Sequence, residues 1–261
     1  MKVIEYGRQQ APLMTIFQCT AEPWWVFKPS AEELSGEFHI LLFAADGHDE
    51  SGTTFESVEK YAHDAAMYLQ AQGVDHVDLM YGVSLGGATV VRFLAAESIP
   101  VTKAIIDAGI TPYPYPKPVC RLIAAGDFLS VSLATKNRTV MELIAPPNRW
   151  TPAGENPTAH YDKIFAFEKN HYSYRTLYNA FWSANNYTMP DPVPSVDTYI
   201  EYWYGEGEKH ARAKNCAYVK RIFPQTVSRE FRGLMHAELV LMYPKLFREE
   251  ILRVWNQKRS Y

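Results

Sequence analysis

The sequence predicts an α/β fold, a mostly parallel sheet flanked by helices and carrying a helical insertion, and three observations lead there. Short apolar runs alternate with segments of helical period, the pattern of strands joined by right-handed crossovers. Gly82-Val83-Ser84-Leu85-Gly86-Gly87 falls where one such run gives way to an apolar helix. Two proline clusters, at residues 111–118 and 190–194, bracket a stretch in which the alternation stops. The expected division is a core of residues 1–111 and 195–261 and an insertion of residues 112–194.

Met14 to Gln18 and Phe38 to Ala44 are short, apolar and bounded by polar or turn residues, as strands buried on both faces are. After the second, Phe55, Val58, Ala62, Ala65 and Leu69 recur every three or four residues. With Thr53 and Glu56 at capping-box spacing, they predict a helix that lays one stripe on the sheet. Val77 to Tyr81 is the next strand, and Ala88 to Ala96 the helix it turns into. A serine thrust out on a tight turn needs glycine two residues to either side, where a larger side chain would strike the neighbouring strand or helix. Val101 to Asp107 is a further strand. In the insertion, Val119 to Ile144 and Tyr161 to Asn185 are compatible with helices, and aromatic residues such as Trp150, Tyr161, Phe181 and Trp182 are dense. The core resumes with a strand over Thr198 to Tyr204, a helix from about Glu208 to Val219 and a strand over Thr226 to Phe231. An amphipathic helix over Lys245 to Trp255 closes the chain.

Composition narrows the function classes. The 261 residues are 47% hydrophobic and 21% charged, which suits one globular unit with a sizeable core. Lys plus Arg number 26 and Asp plus Glu 29, a formal charge of -3, so no nucleic-acid footprint is present. Charges interrupt the opening residues Met1 to Arg8, which argues against a secretory leader, and no stretch reaches membrane-spanning length. Cys19, Cys120 and Cys216 are an odd number without metal-type spacing, so reduced thiols and a cytoplasmic location are expected. The chain lacks G-x-x-x-x-G-K-[ST], G-x-G-x-x-G and H-E-x-x-H, and neither a cofactor nor a metal is expected.

Ser84, on the turn between strand and helix, is the candidate nucleophile. A serine hydroxyl is too weak an acid to attack an ester at neutral pH, so a histidine must take its proton and return it to the leaving group. His236, in the turn Gly233-Leu234-Met235-His236 after the last strand, is the best candidate for that base.

These residues resemble the α/β-hydrolase superfamily. The resemblance rests on Gly82 to Gly87, on the loop Gly47-His48-Asp49-Glu50-Ser51, and on Gly233 to His236 followed by Tyr243-Pro244, Phe247 and Ile251. It implies an eight-stranded, mostly parallel sheet and the chain order nucleophile, acid, histidine. The family acid stands three positions after a glycine, which here is Gly205 followed by Glu208, with glutamate in place of aspartate. Glu206 and Asp107 are alternatives, Asp107 because some hydrolases of this fold draw their acid from that strand. The oxyanion would be held by the Leu85 amide and a second amide after the first core strand. Where a His-Gly pair is common there, this chain has Gln18-Cys19-Thr20-Ala21, so the donor is Cys19 or Thr20.

The expectation is a serine hydrolase that cleaves a carboxylic ester or thioester of a small-to-medium apolar acyl or aryl compound through an acyl-enzyme. The insertion would cap the carboxyl edge of the sheet, with Trp150, Phe181 and Trp182 lining an apolar pocket. Medium-chain or aryl esters should then be preferred over acetate esters or charged substrates. The alternatives are an acyltransferase, C–C hydrolase or lyase on the same fold, or a ligand-binding receptor with a relic triad.

Overall fold

The computed structural model describes residues 1–96 and 99–257. Among them are seven strands: β1 (Lys2–Tyr6), β2 (Leu13–Phe17), β3 (His39–Ala44), β4 (Val77–Val83), β5 (Val101–Asp107), β6 (Tyr199–Gly205) and β7 (Val227–Phe231). They form one sheet in the order β1-β3-β2-β4-β5-β6-β7. Only β1 runs antiparallel, against β3, and every other pairing is parallel. All five residues of β2 are buried, which is why this segment reads as an unbroken apolar run instead of an alternating one. The eighth strand implied by the resemblance is not present among the described residues. β1 itself takes the edge, and only the short turn from Gly7 to Pro12 separates it from β2.

Helices cover both faces. They are α1 (Lys28–Leu34), α2 (Val58–Ala71), α3 (Leu85–Ala96), α4 (Lys117–Ala134), α5 (Arg138–Ile144), α6 (Pro157–His171), α7 (Tyr174–Ala184), α8 (Lys209–Ile222), α9 (Glu238–Met242) and α10 (Pro244–Trp255). On one face Tyr61, Val90 and Phe223 contribute to a core under α2, α3 and α8. On the other, Phe27, Leu34, Phe247 and Ile251 do the same under α1 and α10. The Phe247 ring meets Tyr81 of β4 edge-on at 4.8 Å between centroids. Lys103 of β5 is buried, and its ammonium donates to the carbonyls of Val254 and Gln257 at 2.9 Å each and to that of Trp255. A central strand thereby closes the last turn of α10. No described helix is long and apolar enough to cross a membrane.

Two local expectations need correction. The first turn of α2 is capped by Ser57, whose hydroxyl accepts from the Lys60 amide at 3.1 Å, and not by Thr53. Bonds from α7 hold the preceding segment extended: the Phe55 amide donates to the Thr176 hydroxyl at 3.4 Å, and Asn179 donates to the Phe55 carbonyl at 2.8 Å. Thr53 instead accepts from the Gly47 amide at 3.0 Å. The insertion also holds four helices where the sequence predicts two long helix-compatible segments. Asn137 and Ser173 each present a side-chain oxygen to the amides after them, which starts α5 and α7 afresh.

The strand order places the site. From β2 the chain steps outward to β3 and then crosses back to β4 on the other side, so the loops leaving β2 and β4 diverge around a crevice at the carboxyl edge.

Candidate active site

Among the described residues, four other than glycine adopt left-handed backbone, and each sits in a loop at this carboxyl edge: Ala21 (φ 60°), Ser84 (57°), Ala108 (49°) and Ala237 (60°). Such conformations cost of order 1–3 kcal/mol each and persist where the surroundings enforce them. At Ser84 the enforcement is visible. Its amide donates to the Asp107 carbonyl at 2.8 Å, and its carbonyl accepts from Ala88 at 3.0 Å. A Cβ on Gly82 would lie 2.2 Å from the Gly86 carbonyl oxygen, and one on Gly86 would lie 2.1 Å from that of Phe17. One on Gly87 would meet the Gly109 Cα at 2.5 Å. The strand, turn and helix close only because all three positions lack a side chain.

The β6 and β7 loops meet in the same way. A Cβ on Gly205 would lie 2.5 Å from the Leu234 carbonyl oxygen, and the Gly207 amide donates to that oxygen at 3.1 Å. This contact brings the His236 Nδ1 to 2.7 Å from Glu208 Oε2. Arg212 donates to the same oxygen at 2.9 Å. Burial pushes the Glu208 carboxyl up, but the hydrogen bond and charge of His236, with Arg212 behind them, outweigh burial and hold it at about 2. An ionised carboxylate needs a donor at Nδ1, which leaves Nε2 of a neutral ring as an acceptor. No hydrogen bond joins the Ser84 hydroxyl to His236 Nε2, whose ring is held through Nδ1.

Neither alternative acid hydrogen-bonds His236, although the His236 and Glu208 charges both reach Asp107. Asp107 accepts from the Tyr81 hydroxyl at 2.6 Å, and burial, with the Glu208 charge adding to it, lifts its carboxyl to about 6. Glu206 accepts from the Gly233 amide at 2.8 Å and braces the histidine loop from outside. Two residues that the sequence reading missed brace it further. Buried Glu238 accepts from the Met235 amide and from Arg149 Nη2, both at 2.7 Å, and Arg149 also donates to the Gly233 carbonyl at 2.8 Å. The only trace of this in the sequence is a glutamate at capping spacing after Met235.

Leu85 is the first residue of α3, and Gly86 packs directly on the carbonyls of Phe17 and Gln18. The turn after β2 is held by the Gln18 side-chain amide, which donates to the Glu22 carbonyl at 3.1 Å. Among the described residues the amides of Leu85, Cys19 and Thr20 donate to no protein group, so all three are free to meet an anionic oxygen.

A cavity of about 460 Å³ opens beside these loops. His236, Cys19 and Thr20 line it from the sheet side, and Val131, Met141, Trp150 and Ile164 line it from the insertion. Ser84, 8% exposed, is not among its lining residues. Phe181 and Trp182 do not line it either. They belong to α7, whose Leu177, Ala180 and Ala184 are buried, and the Trp182 ring lies under the cations of Lys117 and Arg121. No group of three or more metal-ligating side chains occurs among the described residues.

No family model matches the chain, and no curated protein matches it. Solved structures share its fold at low identity. An α/β hydrolase family protein from Desulfitobacterium hafniense aligns with a TM-score of 0.76 and 20% identity over 98% of this chain and 100% of that one. MGS-M2, an α/β hydrolase enzyme from a Medee basin deep-sea metagenome, aligns at 0.74 and 14% over 100% and 94%. MenH from S. aureus aligns at 0.71 and 12% over 97% and 96%.

Proposed function

Because the chain has the α/β-hydrolase fold, we propose that it is a serine hydrolase acting on a carboxylic ester or thioester. The observation that carries this reading is the 2.7 Å pairing of His236 with an ionised Glu208 on the same sheet edge as a left-handed serine. Ser84 Oγ attacks the acyl carbon while His236 Nε2 takes its proton, and the Leu85 amide with that of Cys19 or Thr20 holds the oxyanion. The imidazolium returns the proton to the departing alcohol or thiol, and water, deprotonated by the same nitrogen, releases the acid from the acyl-enzyme. Glu208 keeps the ring in the right tautomer and stabilises its cation.

Residues 112–194 act as the cap, with α4, α5 and α6 over the cavity. Trp150 is the cap residue retained for substrate contact, and an apolar wall suits small-to-medium acyl or aryl groups. The three unpaired cysteines fit a reducing compartment such as the cytoplasm.

An activated phosphonate should add once per chain, as read by intact mass, and Ser84→Ala should abolish the adduct while leaving the fold intact. A wild type that stays unmodified yet binds an apolar ligand would replace the enzyme reading with that of a receptor.

A further inference from the structure

The cavity beside His236 is not apolar throughout. Glu22, from the turn after β2, and Glu168, from the last turn of α6, both line it. Neither carboxylate accepts a hydrogen bond from any described residue, although Glu168 is only 4% exposed. Burial lifts Glu22 to about 7, and burial together with the Glu22 charge lifts Glu168 well above the usual carboxylate range. The neighbouring cations place their hydrogen bonds elsewhere, although the Lys136 charge still reaches Glu168 and Arg138 Nη1 is buried without a partner. Lys136 gives its ammonium to the carbonyls of Lys169 at 2.8 Å, Tyr172 at 2.9 Å and Glu168 at 3.5 Å. Arg138 pairs with Glu142 at 2.7 Å and Asp162 at 3.3 Å.

A second observation is independent of the carboxylates. His160, 8% exposed, lines the same cavity and sets Nδ1 at 2.6 Å from Glu155, which requires the proton on that nitrogen. In the neutral ring Nε2 is then an acceptor, and it is buried with no partner. Two hydroxyls on the wall spend their protons outward: Tyr161 donates to the Ala145 carbonyl at 2.6 Å and Thr135 to that of Ser132 at 3.0 Å. Beside the free amides of Cys19 and Thr20, the cavity therefore presents acceptors from Glu22, Glu168 and His160, and among the described residues no protein cation hydrogen-bonds either carboxylate, Lys136 acting on Glu168 through its charge alone.

A ligand group that satisfies such a wall carries several donors and a positive charge, because buried acceptors and carboxylates are stabilised by charge-assisted hydrogen bonds. A hydroxyl brings one donor and no charge. We propose that Glu22, Glu168 and His160 form a subsite for a primary ammonium group, and that the preferred substrate is an ester whose acyl chain is apolar along its length and ends in an amine. This rests on the hydrolase reading and revises the expectation that charged substrates are disfavoured. Val131, Met141 and Ile164 suit the methylenes, and the acceptors suit the terminus.

The test compares p-nitrophenyl 6-aminohexanoate, hexanoate and 6-hydroxyhexanoate at pH 7. In the wild type kcat/KM for the amino ester should exceed that for hexanoate by at least about tenfold, the scale of one charge-assisted hydrogen bond. Glu168→Gln should bring that ratio towards one, and so should Glu22→Gln, whose half-buried turn position keeps the test available if the first variant does not fold. A hydroxy ester that matches the amino ester, or a ratio that neither variant moves, overturns the subsite. If no ester is turned over, the hydrolase reading fails by itself, and calorimetric titration of Ser84→Ala with hexylammonium and with hexanol decides the subsite. Tighter binding of the cation, lost on adding Glu168→Gln, supports it. Equal binding refutes it.

Discussion

A carboxylate held between an imidazole and a guanidinium stays ionised far down the pH scale, and a carboxylate buried against a phenol does the opposite. Glu208 and Asp107 are these two cases within one site. The Glu208 pKa is depressed from an ordinary 4.5 to about 2, so its contribution to stability is complete above 4.5 and is lost as pH falls through 2. The Asp107 pKa is raised from 3.8 to about 6, so stability linked to it is complete below 3.8 and is lost as pH rises through 6. Glu208→Gln should lower turnover by up to about ten-thousandfold, the effect of the equivalent change in a serine protease, and should lower Tm at pH 8. Asp107→Asn keeps an acceptor for Tyr81 and removes a buried charge. It should raise stability at pH 8 by about 2 kcal/mol and leave turnover within severalfold. Scanning calorimetry at pH 8 with steady-state rates checks both, and the opposite pattern would make Asp107 the acid. Glu206→Gln retains an acceptor for the Gly233 amide and should be nearly silent.

At the scale of elements, the elbow and the insertion respond differently to the same substitution. In Gly86→Ala the new methyl meets a backbone oxygen of β2 that cannot swing aside, so β2 and α3 must part, at a cost of about 3 kcal/mol or more. In Gly126→Ala, on α4, nothing lies within 4 Å of the added Cβ, and helix propensity should add about 0.5–1 kcal/mol. Denaturant midpoints measure both, and a Gly86→Ala protein as stable as the wild type would mean that the elbow tolerates a side chain. What was legible in the sequence has the same local character. The strands showed because β2 to β5 are buried on both faces, and the elbow showed because its glycines are required within six positions. The cap of α2 did not, since Ser57 displaces Thr53 only through bonds from α7, more than a hundred positions away. Arg149 and Glu238 also lie far apart in the chain, and nothing in either neighbourhood announces the other. Phe181 and Trp182 have the composition of pocket residues, but their orientation is decided by how α7 packs.

At the scale of the whole molecule, the reversal of strand order between β2 and β4 opens the crevice, and the β6 and β7 loops close over it from the other end of the sheet. The helices α4 to α7 fall, along the chain, between the elbow and the loops that carry Glu208 and His236. Distance along the chain is also time on the ribosome. Ser84 and His236 are separated by roughly 150 positions, or on the order of ten to thirty seconds of synthesis at about 5–20 residues per second. During that interval β2, β4 and β5 are able to pair and the elbow to close, but on the proposed mechanism the serine has no base, so a nascent chain should hydrolyse no ester. Phosphonate labelling of stalled chains should accordingly begin only at lengths that include β7 and His236. Labelling of shorter chains would mean that Ser84 is reactive unaided. With the insertion placed between its two halves, the proposed site would be inert until its proposed roof has already been made.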